Sequence, residues 1–220
     1  MPEHTRKTAA PDLPFRAVLF DLGGVVLGSP LHAIANFETE HGIPAGFVNR
    51  IVVDTGAGGA WARHERGELE REPFMREFAS ECRTAGHALS VPDLFERMAE
   101  VSEPRPRMLE AIRRIRTHGL LTAALTNNFP SDAGDSGGRA LRACFDDFFE
   151  SSVLGLHKPD PRIYRHACRA LDVEPSESVF LDDIGRNLKA ARALGMATIK
   201  VEEPETALTQ LEALLGFSLG

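Results

Sequence analysis

Ala17-Val18-Leu19-Phe20-Asp21-Leu22-Gly23-Gly24-Val25 is the stretch whose reading decides the fold. It opens with an unbroken apolar run that stops at an acidic residue, and a glycine pair follows close behind. Such a run reads as a strand buried on both faces, the signature of a parallel sheet. Asp21 then stands at the strand's carboxyl end, the edge where open α/β sheets bind their ligands. A carboxylate delivered there on a stiff strand is placed to act as a nucleophile or a metal ligand. Gly23 and Gly24 permit close backbone approach and can aim N–H groups at an anion. Taken alone, the stretch is equally compatible with a strand ending in an ordinary turn.

Working outward, the pattern changes after Ser29-Pro30. From Leu31 to about Met98 no strand is evident, and apolar residues such as Ile34, Phe37, Phe47, Ile51, Phe74 and Phe78 recur at helical spacing. Breaks at Pro44, the Gly56-Ala57-Gly58-Gly59 turn, Gly67, Pro73 and Pro92 predict about four short helices. From Arg105-Pro106 the chain returns to alternating helices and strands. Met108, Leu109, Ile112 and Ile115 form the stripe of a helix that ends at Gly119. A strand at Leu120 to Leu125 runs into Thr126-Asn127-Asn128. Further strands are expected at Phe148 to Ser152, Ser178 to Leu181 and Ala197 to Val201, with helices at about 160–171 and 186–194. The fold class is therefore α/β: a Rossmann-like three-layer parallel sheet core, over 15–30 and 105–220, with an all-helical insertion at 31–104. Residues 1–14, polar, charged and interrupted by prolines before the first strand, are expected to form a disordered arm.

Composition limits what the protein can do. At 220 residues, with 43% hydrophobic and 26% charged residues, the chain can bury a substantial core. A net charge of -7 argues against nucleic acid or an anionic membrane as the main partner. Cys82, Cys144 and Cys168 are odd in number and widely spaced, which favours reduced packing thiols and a cytoplasmic location over disulfides or a zinc site. No apolar segment at the N-terminus is long enough for a signal peptide or a membrane span.

Four strand ends carry residues that make sense together: Asp21 and Gly23; Thr126 and Asn127; Lys158; and the Asp182-Asp183 pair. Parallel strands bring them to one edge of the sheet. Three carboxylates at that edge call for a divalent cation, and an all-oxygen set suits Mg²⁺. A lysine with a hydroxyl and an amide beside it supplies charge and donors for a phosphoryl group. Singly, each piece has a plainer reading as a helix cap or a surface turn.

The series Phe20-Asp21-Leu22-Gly23-Gly24-Val25, Leu125-Thr126-Asn127, His157-Lys158-Pro159-Asp160-Pro161-Arg162-Ile163-Tyr164 and Val179-Phe180-Leu181-Asp182-Asp183-Ile184-Gly185-Arg186-Asn187-Leu188 resembles the four motifs of the haloacid dehalogenase-like hydrolase superfamily. The last two are most similar to the phosphatase domain at the N-terminus of soluble epoxide hydrolase. The resemblance implies that the helical insertion is a cap domain and that Asp21 forms an aspartyl-phosphate. It further implies that Gly24, Thr126, Asn127 and Lys158 hold the phosphoryl oxygens. Asp21, the Gly23 carbonyl and Asp183 would hold Mg²⁺, with Asp182 a ligand through water or a partner behind the ligands. The expected substrate is a small phosphorylated molecule, and the expected assembly a monomer or homodimer.

One position departs from the pattern. Phosphatases of this superfamily commonly carry a second Asp two residues after the nucleophile as general acid and base, and here that residue is Gly23. General acid–base help is worth roughly a hundred- to ten-thousand-fold. Three readings stay open: a substrate with a good leaving group, a replacement acid supplied by the cap, or a weak or inactive relative. Metal-independent dehalogenation and a non-catalytic phosphate-binding module are the alternatives to a phosphatase. In the cap, Trp61, Arg63, His64 and Arg66 are the polar candidates for substrate contact; the plainer reading makes Trp61 core and the charged residues, with Glu65 and Glu68, a solvated face.

Overall fold

The computed structural model describes residues 14–130 and 136–220, so the arm expected over 1–14 lies, save for Pro14, outside the described residues. β1 (Ala17–Phe20) is followed by five helices, α1 (Pro30–Glu40), α2 (Phe47–Thr55), α3 (Ala60–Glu65), α4 (Arg71–Thr84) and α5 (Val91–Glu100). Then come α6 (Pro106–Thr117), β2 (Leu121–Thr126), α7 (Ser136–Ala143), β3 (Asp147–Glu150), α8 (Ser151–Leu154) and α9 (Pro161–Ala170). The chain closes with β4 (Ser178–Asp182), α10 (Gly185–Ala193), β5 (Ala197–Lys200) and α11 (Pro204–Leu215).

The five strands form one parallel sheet in the order β3-β2-β1-β4-β5. β1 lies at its centre, which explains why its side chains are apolar without alternation. Val18 and Phe20 face one layer, where they pack with Met108, Ile112 and Ile115 of α6 and with Leu208, Leu211 and Leu215 of α11. Ala17 and Leu19 face the other, against Ile163, Tyr164 and Ala167 of α9 and Leu188 and Ala191 of α10. The period of two along the strand thus sends successive residues into two separate cores. The register pairs Phe20 with Ala124 and with Leu181, so β1, β2 and β4 end close together and deliver Asp21, Thr126 and Asp182 to one edge.

Helices α1 to α5 bury a third apolar cluster of their own, built on Phe37, Phe47, Trp61, Phe74, Phe78 and Leu94. Five helices stand here where the breaker pattern predicted four. The additional one is α3, whose six residues lie between the glycine-rich turn and Gly67 and are too few to show an apolar period. The two crossings between this helical layer and the sheet run side by side: Leu27 bridges Pro104, and the Gly28 N–H donates to the Glu103 carbonyl at 3.3 Å. Among the described residues no helix is long and apolar enough to cross a membrane.

Candidate active site

Directly after β1 the chain makes one wide turn, Leu22–Val26, in which Gly24 holds φ 77°. The Leu22 N–H donates to Asp21 Oδ1 at 2.7 Å and fixes the carboxylate. The Arg105 guanidinium, reaching across from the start of the second crossing, donates to the Gly24 carbonyl at 3.0 Å. Gly24 was expected to offer its N–H to phosphate. It donates instead to the Gly28 carbonyl at 3.0 Å, and the residue's contribution is room: a Cβ here would lie 2.2 Å from Asp183 Oδ2. Gly24→Ala is therefore expected to destabilise the protein by about 1–3 kcal/mol, through both the left-handed backbone and the clash. Thermal melting checks this.

Lys158 is the centre of the charge arrangement. It is 2% exposed, and its Nζ donates to Asp182 Oδ2 at 2.7 Å and lies 2.8 Å from Asp21 Oδ1. Two of its three N–H groups are thereby engaged, and the third remains for a ligand. Burial disfavours its charge, but Asp182 and Asp21 more than compensate, and its pKa stands above the ordinary lysine value. Asp182 is wholly buried, and its two oxygens also accept from the Ile184 N–H at 2.7 Å and from Asn187 Nδ2 at 3.1 Å. It anchors Lys158 from behind and does not line the cavity.

Asp21, Asp182 and Asp183 bring carboxylate oxygens within 4.8 Å of one another. Burial above all pushes the Asp21 carboxyl up to about 8; Lys158 opposes that shift, and Asp182 adds to it. Burial, then Asp182, lifts Asp183 to about 6. A set of hard oxygen donors that cannot all ionise side by side fits a divalent cation, with Asp21 and Asp183 facing the cavity. Gly23 lines the same cavity.

Thr126 and Asn127 end β2 beside Lys158. Asn127 Oδ1 accepts from the Lys158 N–H at 2.7 Å, and its Nδ2 donates to the Lys158 carbonyl at 3.0 Å. Thr126 Oγ1 is buried and donates to the Asn127 carbonyl at 3.3 Å. Of the residues expected to hold phosphate, Lys158 and Asn127 line the cavity, and Asn127 chiefly positions the Lys158 loop.

The far wall comes from the helical layer, and it is largely apolar: Ile34, Val48, Val52, Trp61, Met98 and, from the loop after β2, Phe129. Arg63 and Arg66 are not part of it, pairing outward with Glu77 at 2.6 Å and Glu68 at 2.7 Å. His64 is buried against Phe74 and Phe129, its Nδ1 2.6 Å from the Leu69 carbonyl, and burial lowers its pKa. Glu65, grouped in the sequence with the solvated face, turns inward. Its Oε1 accepts from Trp61 Nε1 at 3.1 Å and its Oε2 from Asn127 Nδ2 at 3.3 Å. Its sequence signal was the i, i+4 spacing to Trp61. Arg186, at the start of α10, also lines the cavity and was not singled out in the sequence.

Comparison with known proteins gives a family match and three similar relatives. The haloacid dehalogenase-like hydrolase family matches residues 15–195. Acyl-CoA dehydrogenase family member 10 of Mus musculus is 42% identical over 208 residues, 93% of this chain but 20% of that protein. Bifunctional epoxide hydrolase 2 of Sus scrofa is 38% identical over 221 residues, covering 94% of this chain and 40% of that protein. Sesquiterpene phosphatase astK of Aspergillus oryzae is 25% identical over 219 residues and is matched along 97% of its length. The chain thus spans less than half of the first two relatives and nearly all of the third.

Proposed function

Since the chain belongs to the haloacid dehalogenase-like hydrolase family, we propose that it is a Mg²⁺-dependent phosphatase that cleaves a small organic phosphate through Asp21. The observation that carries this reading is the Lys158 ammonium held between Asp21 and Asp182, at a cavity that Asp183 also lines. In-line phosphoryl transfer needs mainly positioning and charge neutralisation, and this edge of the sheet offers both. Asp21 Oδ attacks phosphorus, the bond from phosphorus to the organic oxygen breaks, and an aspartyl-phosphate remains. Water then attacks that phosphorus, the bond to Asp21 breaks, and inorganic phosphate leaves. Lys158 holds Asp21 in line and gives its third N–H to a phosphoryl oxygen. Asp21, Asp183 and the Gly23 carbonyl would hold Mg²⁺, with Asp182 behind them, and the cation would supply further charge neutralisation for the transferring group.

The apolar far wall favours a phosphate whose organic part is hydrocarbon over a sugar phosphate. Similarity to a sesquiterpene phosphatase supports the same choice. Helices α1 to α5 then act as a cap that closes over this organic part and excludes water.

Phosphate release from hexyl, aryl and sugar phosphates, with Mg²⁺ and with chelator, tests the reading. Release that needs Mg²⁺ and ranks hexyl phosphate above sugar phosphates is expected. Halide release from 2-haloacids in chelator, with no phosphate release, would overturn it in favour of a dehalogenase. A binding signature should accompany activity: Mg²⁺ at about a hundred times its dissociation constant adds roughly 2.7 kcal/mol to stability. In a chain of this length that is a rise in melting temperature of about 5–10 °C. Asp183→Asn should lose most of the rise.

A further inference from the structure

We propose that Glu65 of the cap is the general acid and base of this site, in place of the carboxylate that Gly23 lacks. The inference rests on the phosphatase reading above and concerns the proton that reading leaves unassigned. A hydrocarbon alcohol is a poor leaving group, so its oxygen must be protonated as the bond to phosphorus breaks. The turn after β1 cannot supply that proton, because position 23 has no side chain. Among the described residues that line the cavity, the acids are Asp21, Asp183 and Glu65. Asp21 is the nucleophile, and Asp183 sits with Asp21 and Asp182 in the carboxylate cluster. Glu65 alone stands on the cap side, where the organic part of the substrate must lie.

The structure holds Glu65 in place from four directions. Trp61 Nε1 donates to Oε1 and Asn127 Nδ2 to Oε2, which leaves each oxygen a further site for a proton. Its carbonyl accepts from Ser151 Oγ at 2.6 Å, which ties the end of α3 to the sheet edge. Two residues on, Gly67 lies so close to Ser152 that a Cβ there would meet its carbonyl oxygen at 2.5 Å. Asn127 is the shared joint, since the same amide grips the backbone of Lys158 at both ends. The acid is therefore fixed relative to the ammonium that holds the nucleophile. Its protonation matches the role as well, because burial lifts the carboxyl to about 7, against the opposing pull of the Trp61 hydrogen bond and of the Lys158, Arg186 and Arg66 charges.

Proton and bond changes balance without any other reactant. In the first half, Asp21 Oδ bonds to phosphorus, the phosphorus–oxygen bond to the alcohol breaks, and that oxygen takes the proton from the Glu65 carboxyl. In the second, the Glu65 carboxylate takes a proton from water as its oxygen bonds to phosphorus and the bond to Asp21 breaks. Glu65 ends protonated, as it began.

The test is single-turnover release of the alcohol, with Mg²⁺, from hexyl, phenyl, 4-nitrophenyl and 2,4-dinitrophenyl phosphate. Wild type, Glu65→Gln and Asp21→Asn are compared, with melting curves as the check on folding. Wild type is expected to depend little on the leaving group. Glu65→Gln should lose about 100- to 10,000-fold on hexyl phosphate and less than about tenfold on the dinitrophenyl ester, which needs no acid. The ratio of the wild-type to the Glu65→Gln rate on hexyl phosphate, in which the ionisation of Asp21 common to both cancels, should fall as pH rises through about 7, where the Glu65 carboxyl loses its proton. Equal loss across the series, or no loss on hexyl phosphate, would overturn the inference. A steep leaving-group dependence in the wild type would overturn it even if the variant failed to fold. Failure of the wild type on every ester, or activity retained by Asp21→Asn, instead overturns the phosphatase reading and takes this inference with it.

Discussion

Asp21→Asn is expected to lower phosphate release by at least ~10⁴-fold while leaving the fold intact. The amide preserves the shape of the side chain, and its oxygen can still accept from the Leu22 N–H and from Lys158. What it cannot do is form the bond to phosphorus. Acid quenching of wild type with labelled substrate should trap one phosphoryl group per chain, and the variant should trap none. Stability should move in the opposite direction from activity. Because the fold lifts the Asp21 carboxyl from 3.8 to about 8, folding favours the protonated form. Its contribution is complete below about pH 4 and is lost as pH rises through about 8. Asparagine does not titrate. In chelator, the melting temperature of the variant relative to wild type should therefore climb between those limits, the exchange of stability for function that a crowded carboxylate site implies. A variant that traps phosphate as the wild type does would remove Asp21 from the mechanism.

How much of this was legible in the sequence depends on whether a residue's role is set by its own strand or by a neighbour far along the chain. β1 was read at its observed limits, Ala17 to Phe20, because a central parallel strand must be apolar on both faces. Asp21 and the Asp182-Asp183 pair were legible for a related reason: parallel topology sends the ends of β1 and β4 to one edge whatever packs elsewhere, and the loop after β3 and α8 brings Lys158 to the same edge. β2 shifted by one residue at each end, and β3 runs Asp147–Glu150 where Phe148 to Ser152 was expected, Ser151 and Ser152 opening α8 instead, since the hydrogen-bond register, and not the apolar run, ends a strand. Gly24 was read as an anion donor from its type, but its N–H partner is fixed by the wide turn. Glu65 was misread for the converse reason. In Arg63-His64-Glu65-Arg66 the charges alternate as on a solvated helix, and on a helix this short no period distinguishes the face toward the sheet. The contacts of α3 with Asn127 and Ser151, beyond the i, i+4 bond to Trp61, show that Glu65 points in while Arg63 and Arg66 point out.

Lys158→Met should be the most destabilising single change at the site as well as an inactivating one. Methionine matches the length of the lysine stem and packs against Phe180, whose ring centre lies 5.4 Å from Nζ, so the loss measures charge and not volume. Removing the ammonium leaves Asp21 and Asp182 buried together with no cation between them. Breaking a buried ion pair from one side typically costs about 3–5 kcal/mol. Urea unfolding in chelator should show a loss of that order, with an unchanged dependence on denaturant, if the fold is otherwise kept. Lys158→Arg is not a rescue, because the planar guanidinium is too large for a clasp closed at 2.7 and 2.8 Å. The pair Lys158→Met, Asp182→Asn supplies the decisive comparison. If the cost of Lys158→Met is the stranded charge of Asp182, the double variant should be more stable than the single one, with a coupling of about 1–3 kcal/mol. Simple additivity of the two changes would mean that Lys158 stabilises the fold by packing alone. The ammonium would then serve the phosphoryl group without holding the two strand ends together.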